Sequence, residues 1–132
     1  MKKPLEQAKK FLKKAAEDEA LLDLIIQAPT VTDEIFGFHC QQAAEKLLKA
    51  FLSAKQVRFA KTHDLLELIA LILQSGTQLP QQFADLDILN PFAVEYRYDP
   101  FPEDDPPIDR ASYHVLIKTL RNWVEHQISV IK

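Results

Sequence analysis

At 132 residues and a net charge of −3, the chain is long enough for one packed core but has no overall basic field to attract nucleic acid. Two glycines exclude a glycine-rich phosphate loop, one cysteine excludes an internal disulfide, and no apolar run approaches the ~20 residues of a membrane span. With no apolar leader at its start, the chain reads as a single cytosolic domain covering residues 1–132.

Pro4 suits the first turn of a helix, where its missing N–H costs nothing. Leu5, Ala8, Phe11, Leu12, Ala15, Leu22, Ile25 and Ile26 continue at helical spacing to about residue 28, and Pro29 stops the run. Lys2, Lys3, Lys9, Lys10, Lys13 and Lys14 crowd this segment as a solvated face or a phosphate-touching one. Thr32 offers a side-chain cap to a second helix reaching about Lys55, with Phe38, Ala44, Leu47, Leu48, Phe51 and Leu52 as its apolar stripe. Cys40 lies on that helix as a small packing residue. Thr62 is the expected cap of a third helix over Leu65, Leu66, Leu68, Ile69, Leu71, Ile72 and Leu73, and Gly76 closes it. Pro80 opens a shorter stretch through Phe83, Leu86 and Leu89, which Pro91 kinks or interrupts before a last turn or two at 92–98. Residues 99–107 hold four prolines and four acidic residues and read as a surface loop. Asp109 caps the final helix, striped by Tyr113, Leu116, Ile117, Leu120, Val124, Ile128 and Ile131. Nothing alternates with a period of two. The expected fold is all-α: an up-and-down four-helix bundle with an additional short helix.

Three clusters go beyond what packing requires. On the second helix, His39, Gln42 and Lys46 fall at i, i+3 and i+7 along one face, with Gln41 and Glu45 on the next. Such a set suits a nucleotide's phosphate and base edge, or polar ties between helices. His63 and Asp64 stand at a helix start, where open N–H groups and the dipole favour an anion, and where the same residues also simply begin a helix. Arg97 and Tyr98 precede the proline-rich loop. Arginine's planar fork is a natural phosphate partner, and a tie from Arg97 to Glu45 or Glu95 is the structural alternative.

Phe38-His39-Cys40-Gln41-Gln42-Ala43-Ala44-Glu45-Lys46 resembles the signature of the HEPN domain family, helical bundles associated with nucleotides, nucleic acids and nucleotidyltransferase partners. Lys61-Thr62-His63-Asp64-Leu65 and Ala93-Val94-Glu95-Tyr96-Arg97-Tyr98 fit the same family in order. The resemblance implies a homodimer that binds nucleotide or RNA phosphate beside a minimal nucleotidyltransferase. The contact residues are then His39, Gln42, Lys46, His63, Arg97 and Tyr98. Neither a cofactor nor a membrane is implied.

Catalytic members of that family are recognised by Arg-x4-6-His. Arg97 stands where the arginine belongs, but Tyr98 to Glu103 contain no histidine. Arg121 and His126 match formally, inside the last helix. Five steps turn them roughly 140° apart around one axis, so only a second chain could bring them together. A metal-independent endoribonuclease toxin using that pair is one alternative function, and a dimeric interaction module is another. Histidines 39, 63, 114 and 126 have no further ligand at zinc spacing, so no metal site is expected.

Overall fold

The computed structural model describes residues 3–98 and 106–131, with the side chains of Arg97 and Tyr98 outside the described residues. The expected loop at 99–107 also lies outside them, except for Pro106 and Pro107. Helices α1 (Pro4–Ile25), α2 (Asp33–Ala54), α3 (Leu65–Gln74) and α6 (Arg110–Ser129) form the bundle. Among the described residues there is no strand. Where the sequence suggested one short helix, the chain makes four brief pieces. They are 3-10 turns at Gln81–Phe83 and Leu86–Leu89, then single turns α4 (Asn90–Ala93) and α5 (Glu95–Tyr98). Pro91 sits in the first turn of α4, where it starts the piece rather than breaking it.

Helix α2 is the axis of the molecule. Its side chains at Phe36, Cys40, Ala43, Ala44, Leu47, Leu48, Ala50, Phe51 and Leu52 are fully buried, on more than one face. A helix covered this broadly has neighbours all round it, and α1, α6, α3 and α4 fill that role. Contacts from Asp18 to Lys46 and from Phe11 to Phe59 show that α1 runs antiparallel to α2. Helix α6 runs antiparallel to α1, since His114 meets Asp23 while Arg121 reaches the carbonyl of Leu12. Trp123 stacks on Phe51 at 5.4 Å between centroids and tilts over Phe83, which ties α6 to α2 and to the first 3-10 turn.

Phe36, Phe51 and Phe83 are fully buried, and Trp123 packs against the core. The exposed apolar residues are elsewhere, notably Leu24, and Leu66 and Leu73 on the outer face of α3.

The caps follow side-chain chemistry. Thr32 accepts from the N–H of Ile35, and Asp109 from that of Ser112, as the sequence suggested. The cap of α3 is a correction. Asp64, not Thr62, accepts from the N–H of Leu66, while Thr62 accepts from the N–H of Asp64 one step earlier. Helix α2 ends in a Schellman pair, with Val57 N–H on Leu52 O and Gln56 N–H on Ser53 O. Gln56 therefore stands at φ 60°, the position usually given to glycine. Gln56→Gly is expected to raise stability by about 0.5–1 kcal/mol by removing that strain, read as a higher urea midpoint. A lower midpoint would show that the extra freedom of glycine in the unfolded chain dominates.

Candidate functional site

The signature helix contains two carboxylate centres, one supplied from outside it. Asp18 of α1 lies in the apolar stripe between Ala15 and Leu22 and is only 8% exposed. His39 Nδ1 approaches its Oδ1 at 2.9 Å, and Lys46 Nζ donates to its Oδ2 at 2.6 Å. Burial alone would raise the Asp18 pKa. The hydrogen bonds from His39 and Lys46 and the charge of Lys46 outweigh it and hold the carboxyl below its ordinary range. His39 and Lys46 thus fasten α2 to α1.

Glu45 is the second centre and is 5% exposed. It accepts from Gln41 Nε2 at 3.2 Å and from Lys49 Nζ at 2.9 Å, and His63 Nδ1 lies 2.8 Å from its Oε1. Gln41 also donates to the carbonyl of His63 at 2.9 Å, and Gln42 donates to Gln41 Oε1 at 2.8 Å. No buried side-chain N or O lacks a partner among the described residues, so the network is complete. Cys40 is buried on the same helix. Burial pushes its thiol up to about 12, which suits packing and not nucleophilic attack.

One member of the network faces outward. The His63 ring is 63% exposed although its Nδ1 is held by a buried carboxylate. It lines an open groove of about 430 Å³ together with Lys61, Thr62, Asp64, Asn90 and Val94. Asn90 lines the groove as well and is tied to the start of α3. Its Oδ1 accepts from the N–H of Leu65, and its Nδ2 donates to Asp64. Helix α5 begins one residue past Val94, so the backbone of Arg97 and Tyr98 follows the groove wall directly.

The other predicted residues are placed as follows. Arg121 is bound into α1: Nε lies 2.8 and 2.7 Å from the two oxygens of Glu19, and the guanidinium also donates to Leu12 O at 2.9 Å. Burial alone would lower the Arg121 pKa, but its bonds to Glu19 and the charges of Glu19 and Glu125 raise it. His126 is exposed on α6, and within one chain the structure does not bring this pair together. An arginine and a histidine also open α6, and both are occupied. Arg110 is held by Asp33 and the carbonyls of Ile25, Ala28 and Val31, and His114 by Asp23. Among the described residues no group of histidine, cysteine and acidic side chains could hold a metal ion. No described helix is long and apolar enough to cross a membrane.

Sequence reasoning passed over Asp18, Lys61, Asn90 and Arg110. Asp18 did leave a signal, as an acid at i+3 from Ala15 and i−4 from Leu22 within an apolar stripe. Asn90 left none, since its role depends on a fold-back across the groove.

No curated protein and no solved structure matches the chain. A family model described as the HEPN domain matches residues 1–127 of its 132.

Proposed function

The chain belongs to the HEPN domain family, and on that premise we propose that it binds nucleotide or RNA phosphate in the groove beside His63. In this reading it acts with a nucleotidyltransferase partner, as a homodimer, and without robust catalysis of its own. The observation that carries the binding site is His63 itself: a histidine held rigidly by buried Glu45, yet open to a groove that also holds Lys61. A volume near 430 Å³ lies within the ~300–1,000 Å³ usual for small-molecule pockets. Val94 supplies an apolar wall for a base, and Asn90 an amide. The side chains of Arg97 and Tyr98, the other candidates from the sequence, lie outside the described residues, while His39 and Lys46 support the site by fixing α2 to α1 and Gln42 by bonding to Gln41. The absence of catalysis rests on Arg121, whose guanidinium is committed to Glu19 and Leu12.

Calorimetric titration with AMP and with a short single-stranded RNA tests the site. Loss of a hydrogen bond to a charged group is worth about 1.5–3 kcal/mol, so His63→Ala is expected to weaken binding by roughly 10- to 100-fold. Lys61→Ala, at an exposed position, is expected to weaken it a few-fold without moving the melting temperature. Unchanged affinity in both variants would remove the groove as the binding site.

A further inference from the structure

The tautomer of His63 follows from its partner. Glu45 Oε1 lies 2.8 Å from Nδ1, and the same carboxylate already accepts from Gln41 and Lys49. A carboxylate accepting from its neighbours requires a proton on Nδ1. A neutral ring therefore presents its bare Nε2 lone pair, an acceptor that repels a phosphate oxygen. Only the doubly protonated ring keeps its bond to Glu45 and still offers an N–H on Nε2. That nitrogen has no protein partner among the described residues.

The surrounding charges lead to the same conclusion. From α2, Glu45 and Lys49 face the ring and cancel each other at 2.9 Å. From the loop and the start of α3, Lys61 and Asp64 line the groove with one charge of each sign. Asn90 and Val94 complete the lining, and neither is charged. With His63 neutral the groove's described lining has no net charge to attract an anion. One added proton makes it positive. Two of the first N–H groups of α3 are already taken, since Leu65 donates to Asn90 and Leu66 to Asp64.

We infer that the groove takes a phosphate only together with one proton on His63, so that binding is a coupled uptake of anion and proton. This rests on the groove being the phosphate site. The ligand phosphate has two possible sources, a mononucleotide or an RNA backbone.

The test titrates the full chain across about pH 5.5 to 8.5, the range in which histidine changes charge. One arm uses a short RNA without terminal phosphate, whose phosphodiesters do not change charge there; the other uses AMP. Toward the alkaline end of that range, the RNA association constant is expected to fall about tenfold per pH unit, the slope for one linked proton. His63→Gln should bind weakly with no slope, because an amide offers a donor without titrating. His126→Gln, at an exposed residue away from the groove, should keep the full slope. For AMP, whose own phosphate gains charge in this range, the quantity compared is the ratio of parent to His63→Gln affinity. The arm that binds identifies the source, and the same slope in either arm supports the coupling. A flat parent profile, or an equal slope in His63→Gln, would overturn the inference and leave the phosphate site standing. Absence of binding in both arms at every pH would remove both.

Discussion

Arg110→Ala is expected to lower the melting temperature by roughly 10–15 °C, corresponding to about 3–4 kcal/mol in a domain of this size. Total stability for such a domain is about 5–15 kcal/mol, so the loss would be a large share of it. The first turn of α6 places Arg110 over the junction of α1 and α2. Its Nε donates to Asp33 at 2.9 Å, while the terminal nitrogens donate to the carbonyls of Ile25, Ala28 and Val31. The guanidinium carbon sits 5.3 Å from the centre of the Phe36 ring. Helix α1 has no basic residue in its last turn, so Arg110 is the cation that meets its negative end. Alanine would leave three carbonyls without that donor and Asp33 with only the N–H of Ile108 in place of its charged partner. Lysine should restore only part of the loss, since one ammonium cannot form a fork to several acceptors. A thermal melt followed by circular dichroism decides the matter. A shift under about 2 °C for alanine would mean that the junction closes equally well on water.

Asp18→Ala should cost about 2–3 kcal/mol, because it strands His39 and Lys46 beside the apolar core. The effect of pH follows from the sign of the shift. The Asp18 pKa is held below its unfolded-state value, so its contribution is present above that value and is lost as pH falls through the folded one. Asp23 and Asp109 are also held low, by His114 and by Ser112. Acid destabilisation below about pH 4 should therefore be shallower in Asp18→Asn than in the parent, though not abolished. Urea midpoints across pH provide the measurement. The double change Asp18→Ala with Lys46→Ala should cost less than the sum of the two single changes. Strict additivity would show that the two side chains do not support each other.

The four main helices were readable because each joins an apolar stripe at helical spacing to a start signal, Pro4 in α1 and a side-chain cap in the other three. Thr32 and Asp109 mark their helix starts without ambiguity. Thr62 and Asp64 are both good caps two residues apart, and the chain uses them in succession, which a pattern alone does not distinguish. The stretch from Pro80 to Tyr98 was the least legible. It has no continuous stripe, and Phe92 is placed by its fit over Gly37, where a β-carbon would overlap the ring. For the site, the polar residues of α2 were visible but their partners were not. Which of His39, Gln42, Lys46 and His63 remains open to a ligand depends on where Asp18 and Glu45 sit in space. That register between helices is decided by core packing, not by local spacing.

The junction held by Arg110 also bears on the order of folding. Helices α1 and α2 are neighbours in the chain, and a short connection between antiparallel helices normally closes early. Here three carbonyls at that connection receive a further donor from a residue 79 to 85 positions along, two of them already accepting from the N–H groups of Ala28 and Val31. The α1–α2 hairpin can therefore collapse early on its own turn bonds, but the turn lacks its guanidinium tie until α6 has docked. Substitutions inside the hairpin core should slow folding, whereas loss of the guanidinium should mainly speed unfolding. A connection that looks local thus becomes the last to lock and the first to loosen.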